Sequence, residues 1–424
     1  MGNKKLLWLA MAGLLTSVQG TVHASDSELL EVLQKNRVIS DNQYKELKKT
    51  YGKKESSGAK VSTKGGVKVK SDDGNFSFKL GGRVQFDAAY SDDDVTELDD
   101  GLEFRRLRIA AKGTVYKDFA YKIQVDYSDD NLDVKDAYFK YKPWGLLVGS
   151  FKGPFGLEEL TSSNDITFME RSSSGNAFNT SHRRGIGIQQ GGSNYSVAAM
   201  LYGQNDSTDD DDQEDYGAGV RLTYAPLASK GKVVHLGFGL ASEKPTNDSD
   251  TLRLRSRAAV HHPGNRLVDT RSNITAVDNI MKYGLEAAFV TGPFSMQAEY
   301  FNYDVERDNG QSDLEFDGYY VQAAYALTGE SRKYKAKKGA FGGYSPKGKW
   351  GAWEVALRYD TVDLTDDNVV GGEQDVTTLG LNWYLNKQVR VMLNYADVDV
   401  DDARGNVGQD EDVEQIGLRT QIKF

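Results

Sequence analysis

From Asn75 to the last residue, apolar and polar side chains alternate with a period of two. Phe119, Tyr121, Ile123, Val125 and Tyr127 alternate with Ala120, Lys122, Gln124, Asp126 and Ser128. Val389, Val391, Leu393 and Tyr395 alternate with Arg390, Met392 and Asn394. Successive side chains of a strand point to opposite faces, so each such segment predicts a strand with one apolar and one polar face. Sixteen segments follow the rule. They start near Asn75, Leu102, Phe119, Asp133, Gly145, Arg184, Asn194, Asp215, Lys232, Asn279, Pro293, Phe316, Lys349, Gln374, Gln388 and Asp412. Their connections alternate in length. Tyr116–Asp118, Pro143-Trp144, Gly191–Ser193, Thr291-Gly292 and Asn386-Lys387 are short. Ser91–Gly101, Gln204–Glu214 and Val400–Glu411 are long and acidic. Thr328–Gly348 is the exception, a long lysine-rich connection on the short side.

An even number of amphipathic strands, with short turns on one rim and long loops on the other, predicts an all-β, 16-stranded antiparallel transmembrane β-barrel. The final strand ends Leu418, Thr420, Ile422, Phe424, which resembles the assembly signal of outer-membrane barrels. A soluble sandwich would have to bury that apolar face against a second sheet. In a bilayer only a closed barrel or a helix satisfies its own backbone.

The N-terminal part has a different pattern. Lys4 and Lys5, the apolar run Leu6–Val18 and Val22-His23-Ala24 read as a secretory signal over residues 1–24. Residues 25–55 predict a short helical or coiled-coil segment, with capping-box spacing at Ser25/Glu28 and Ser40/Gln43. Residues 56–74, rich in Lys, Ser and Gly, read as a linker. Residues 75–424 are the expected barrel.

Composition supports this reading. The 424 residues carry a net charge of -10, with 44 glycines, 7 prolines and 23 tyrosines. Charged residues make up 27%, which excludes a bundle of membrane helices. The absence of cysteine excludes disulfides and thiolate chemistry. The acidic balance speaks against a nucleic-acid partner. No nucleophile motif accompanies the histidines, so no enzyme and no cofactor are expected. Asp209–Asp212 lacks the spaced ligands of a calcium loop, so no metal is expected.

A barrel of sixteen strands encloses water, and its chemistry lies in the lumen and in loops that fold inward. The polar wall face carries Lys79, Arg83, Arg106, Arg108, Lys112, Lys122, Lys140, Arg221, Arg358, Arg390 and Arg419. Asp87, Asp126, Asp136, Glu299 and Glu354 share that face, so wall residues alone decide no preference. The loop Glu243–Asp278 says more. Arg253, Arg255 and Arg257 stand at every second residue, about 7 Å apart if extended. Arg266 and Arg271, with His261 and His262, continue the basic run. Two placements fit it. Along a pore it passes anions from site to site, since arginine stays charged and grips oxyanions with paired hydrogen bonds. On the cell surface it meets lipopolysaccharide phosphates. A second loop, Lys152–Arg183, is long enough to fold inward and narrow the pore.

These residues give the chain a resemblance to the phosphate-selective porin O and P family, from about Val61 to Phe424. Phe76–Arg83, Phe104–Arg106, Phe155–Glu158, Val233–Gly237, Gln297–Tyr300, Ala324–Glu330 and Leu381–Tyr384 carry it. The resemblance implies a homotrimer in the outer membrane, in contact with lipid and lipopolysaccharide. Its solute would be phosphate, polyphosphate or another small anion, drawn along an arginine ladder to a narrow site with lysines. Arg253, Arg255, Arg257 and Arg266 match ladder positions, and His261 falls where a further arginine would sit. Arg171 matches an arginine of the constriction loop, and Arg106 and Lys122 complete the expected constriction. The chain departs from the pattern at the central site. Glu159 occupies the position of a central lysine, and Ala120 that of a second, with Lys122 two residues along on the same face. A lysine-to-glutamate exchange would weaken a phosphate dianion by several kcal/mol, roughly, at an effective dielectric near 20. The alternative expectation is therefore a weakly or differently selective porin for other small solutes.

Overall fold

The computed structural model describes residues 26–51, 58–63, 65–128, 131–205, 215–245, 251–261, 266–271 and 273–424. The expected signal segment, the Ser25 cap, the aspartate run 209–212 and His262 lie outside them.

Two helices, α1 (Asp26–Lys35) and α2 (Asp41–Tyr51), form the N-terminal unit. The Ser40 capping box is reciprocal. Gln43 N–H donates to the Ser40 hydroxyl at 3.3 Å, and Ser40 N–H donates to Gln43 Oε1 at 2.9 Å.

The second unit is a closed antiparallel barrel. Its first eight strands are β1 (Ser77–Asp93), β2 (Gly101–Val115), β3 (Phe119–Asp126), β4 (Asp133–Tyr141), β5 (Leu146–Lys152), β6 (His182–Gly191), β7 (Tyr195–Asn205) and β8 (Asp215–Ser229). The other eight are β9 (Lys232–Pro245), β10 (Val277–Thr291), β11 (Phe294–Arg307), β12 (Leu314–Ala326), β13 (Ala352–Asp363), β14 (Glu373–Tyr384), β15 (Val389–Asp401) and β16 (Glu411–Lys423). Each starts within three residues of its expected position. β16 pairs with β1 from Val413↔Asp93 to Lys423↔Arg83, which removes both sheet edges. Phe424 fastens the seam. Its backbone exchanges two 3.1 Å hydrogen bonds with Gly82, where a Cβ would lie 2.7 Å from the Phe424 ring.

The faces sort as the alternation requires. On β15, Leu393 and Tyr395 are exposed, while Met392, Asn394 and Ala396 are buried. Trp353 and Trp383 stack on the outer face near the short-turn rim, with centroids 5.1 Å apart, where amphipathic rings suit a membrane interface.

The expected linker 56–74 is corrected in part. Ala59–Ser62 and Val67–Ser71 are strands, and the second pairs with the start of β1 from Val67↔Leu80 to Lys70↔Ser77. Ser71 and Asp73 close the hairpin, with Asn75 N–H donating to Asp73 Oδ1 at 2.8 Å. The Lys/Ser/Gly composition concealed a four-residue alternation, Val67-Lys68-Val69-Lys70.

Three connections fill the lumen. Residues 153–181, between β5 and β6, carry the short helices α3 (Leu157–Leu160) and α4 (Ser173–Ala177). Residues 246–276, between β9 and β10, carry a hairpin of Arg255–Arg257 against Arg266–Asp269. The lysine-rich connection after β12 also folds inward, through a hairpin of Lys333–Lys335 against Ala340–Gly342. Arg221 of the wall donates to the carbonyls of Lys338 (3.2 Å) and Gly339 (2.7 Å) in it.

Candidate anion pathway

The loop 153–181 is held across the lumen by side chains of the wall. The Glu299 carboxylate accepts the N–H groups of Leu157 (2.5 Å) and Glu158 (2.8 Å) at the start of α3. Arg390 donates to the carbonyls of Ile166 (2.7 Å) and Thr167 (2.8 Å), and Arg358 to that of Glu170 (3.1 Å). Asp360 accepts Ser173 N–H at 2.7 Å. Arg419 donates to the Met169 carbonyl. Wall arginines expected to face open water, Arg358, Arg390 and Arg419, are thus fully buried tethers. Backbone groups brought into a lumen need partners, and these side chains supply them.

Glu170 is the hub of the narrow part. Its carboxylate takes Arg105 through two 2.9 Å bonds, Arg419 at 2.6 Å and Arg106 at 3.5 Å. Arg419 also grips Asp87 through two bonds, 2.7 and 2.6 Å. Burial works against ionising Glu170, yet Arg105, Arg106 and Arg419 hold it well below the usual carboxylate range. Arg106 is therefore one partner of a buried ion cluster.

Glu159 is also paired. Lys152 Nζ lies 2.6 Å from Oε1, and Arg171 Nε lies 2.9 Å from Oε2. Burial raises its pKa, but Arg171 and Lys152 outweigh burial and keep it below its ordinary value. Its negative charge is offset locally, so the predicted loss of several kcal/mol does not apply in full. Lys122 pairs with Asp136 at 2.5 Å, so it is not an unopposed substitute for a central lysine.

The basic loop lies inside the barrel. Ser256 Oγ donates to Ser173 O on the constriction loop (2.9 Å), and Gln374 of β14 donates to Arg257 O (3.3 Å). Val260 N–H reaches Gln415 of β16 at 3.3 Å. Residues 256–260 of the loop thus pack against the constriction loop and the inner wall. Arg253 is exposed and clasps Asp269 through bonds of 2.8 and 2.5 Å. Arg255 and Arg257 follow on one hairpin strand, and Arg257 is paired in register with Arg266. Burial, then Arg257 and Arg255, lower the Arg266 pKa to about 9. Arg257 is lowered by burial and by Arg105 on the wall, and its buried Nε has no hydrogen-bond partner. Among the described residues, no carboxylate forms an ion pair with Arg257 or Arg266. Crowded guanidinium groups of this kind are relieved by an anion.

His261 follows on the same loop. Burial, with Arg105 and Arg257 nearby, pushes its pKa well below the ordinary value. It faces Glu103 at 3.1 Å.

Beyond the constriction loop lies a cavity of about 260 Å³. Arg83, Arg108, Lys122, Lys152, Arg221 and Lys338 line it, against one acid, Asp136. Four of these cations have carboxylate partners: Asp126, Asp136, Glu159 and Glu286. Arg83 and Lys338 have none among the described residues. Arg83 donates to Ser163 Oγ instead.

Sequence reasoning missed Arg105, Lys152, Glu170 as a hub, and Lys338. Strict alternation sends Arg105 to the lipid face. A β-bulge, two residues of β2 opposite one of β1, turns both Arg105 and Arg106 inward. Lys338 was visible only as part of an anomalous lysine-rich turn.

The profile of the family described as phosphate-selective porin O and P matches residues 78–424. Porin O of Pseudomonas aeruginosa is 34% identical over 397 residues, covering 83% of this chain and 89% of that protein. The outer membrane channel DcaP of Acinetobacter baumannii has a similar fold, with a TM-score of 0.55 at 14% identity over 84% of this chain and 99% of its own. An anion-selective porin from Comamonas acidovorans has a TM-score of 0.54 at 15% identity, over 82% and 100%. With sixteen strands closed around three inward-folded loops, and a family match that spans the whole barrel, the chain belongs to the phosphate-selective porin O and P family of outer-membrane porins.

Proposed function

We propose that this barrel is a passive, anion-preferring channel, not an enzyme, and that phosphate or polyphosphate is its solute. The observation that carries the reading is the cavity behind the constriction, where six basic side chains meet one acid. Arg253, Arg255, Arg257 and Arg266 form the approach from the long-loop side, and Arg105 continues it on the wall. Several moderate sites in series favour both entry and release. The weaker-selectivity reading draws on Glu159 and Glu170, which offset part of the positive charge in the narrow region.

The test is the reversal potential of the reconstituted protein in a potassium chloride gradient, followed by phosphate titration of the chloride current. The expected result is anion selectivity with saturable block by phosphate. A cation-selective pore would overturn the reading. Lys338→Gln removes an unpaired cation from the cavity and leaves the wall intact. Its half-blocking phosphate concentration is expected to rise ~10-fold, as ~1.4 kcal/mol of lost attraction implies.

Assembly of three copies in the outer membrane, in contact with lipopolysaccharide, belongs to the same proposal. Strands β3, β4 and β5 have only eight, nine and seven residues. At roughly 3.3 Å per residue and a tilt near 40°, they rise about 18–23 Å. That is less than the ~25 Å apolar band of a lipid-facing wall. A neighbouring protomer would cover this arc.

A further inference from the structure

The Glu159 carboxylate sits in the constriction loop with each oxygen on a different cation, Lys152 Nζ at 2.6 Å and Arg171 Nε at 2.9 Å. An oxyanion of a passing solute would be gripped in the same way. Both cations also have backbone partners. Lys152 also donates to the Glu159 carbonyl at 2.6 Å. Arg171 donates to the carbonyls of Glu158 (3.2 Å), Glu159 (3.3 Å) and Thr161 (3.5 Å). The clamp is therefore built by the loop backbone, and the Glu159 side chain fills it. Lys152 in turn lines the large cavity, so one jaw of the clamp faces the solute path.

We propose that Lys152 and Arg171 form an oxyanion subsite whose resident ligand is the protein's own Glu159 carboxylate, a tethered competitor that a tetrahedral oxyanion such as phosphate must displace. This rests on the anion-channel reading above and deepens it. A tethered group acts at an effective concentration of about millimolar or higher. It therefore raises the apparent Kd of a free anion for the same clamp and shortens its stay. Multiply charged oxyanions displace Glu159 better than chloride does, because they have more charge to offer two cations. Glu159 thus tunes a tight oxyanion clamp toward rapid release.

The test is a double-mutant cycle on the reconstituted full chain, read as the inorganic phosphate concentration that halves the chloride current. Glu159→Gln empties the clamp while the carbonyls keep both cations in place. It is expected to lower the half-blocking concentration ~10-fold or more. Lys152→Gln alone is expected to change it less than about 3-fold, since the clamp is already occupied. Glu159→Gln with Lys152→Gln is expected to lose most of the gain. Additive effects would show that Glu159 acts only through its general field, and would overturn the proposal, as would no gain from Glu159→Gln. Glu159→Ser is a second neutral variant should Glu159→Gln fail to assemble. The wild-type reversal potential decides the anion-channel reading separately. A non-additive cycle in a weakly selective pore would keep the clamp and drop the anion-channel reading.

Discussion

Replacing Arg255, Arg257 and Arg266 together by glutamine will lower the anion-to-cation permeability ratio ~10-fold, measured from the reversal potential in a chloride gradient. A unit charge about 7 Å from the ion path, at an effective dielectric near 20, is worth about 2 kcal/mol. Three such charges would exceed the tenfold change if nothing opposed them. Asp269 and lumen water reduce the sum. The folding cost should be small, because among the described residues neither Arg257 nor Arg266 forms an ion pair. The loop is tied down by Leu252, Leu254, Leu267 and Val268, all buried. An unchanged ratio would show that the ladder lies beside the ion path. The wild type carries its own check. Arg266, lowered to about 9 by burial and by Arg257 and Arg255, loses its proton as pH rises through that value. Selectivity should therefore begin to fall near pH 9, well below the ordinary titration of arginine.

Glu170→Gln will have the largest effect on stability. It removes the carboxylate shared by Arg105, Arg106 and Arg419. Arg419 keeps Asp87, but buried Arg106 and half-buried Arg105 lose their ion-pair partner. Removing one member of a buried ion pair costs about 3–5 kcal/mol, and the lower end applies beside a water-filled lumen. The variant should unfold at lower temperature when its heat-modified mobility is followed on a gel. It should also conduct with larger current fluctuations, since the constriction loop loses its central tie. The pH dependence has a definite sign. The folded pKa of Glu170 is depressed, so the wild type keeps this stability above the usual carboxylate range. The stability is lost only when pH falls through the depressed value. Glu170→Gln should therefore flatten the acid limb of the wild-type stability curve. A variant as heat-stable as the wild type would place the tie elsewhere, on Glu299 or Asp360.

The barrel was legible because its determinants are local. A strand between lipid and water needs a period of two, and a closed ring needs an even count with short and long connections in turn. Those features sit in the sequence at Phe119–Tyr127, at Val389–Tyr395 and at the terminal Phe424. The Arg253–Arg255–Arg257 spacing was equally plain, and it announced a row of cations without saying whether the row faced the cell surface or the pore.

What the tertiary structure decided are the pairings across long stretches of chain. Arg419 of the last strand meets Glu170 of the constriction loop and Asp87 of the first strand. The Arg105 bulge reverses the face that alternation assigns to that residue. Glu159, an acid where a lysine was expected, is offset by Lys152 and Arg171. Lys338 enters the cavity on a turn that breaks the alternation of short and long connections. The local pattern records neither such placements nor such pairings. Periodicity records which side of a wall a residue faces, whereas the charge that an ion meets depends on which opposite charge has folded within about 3 Å of it.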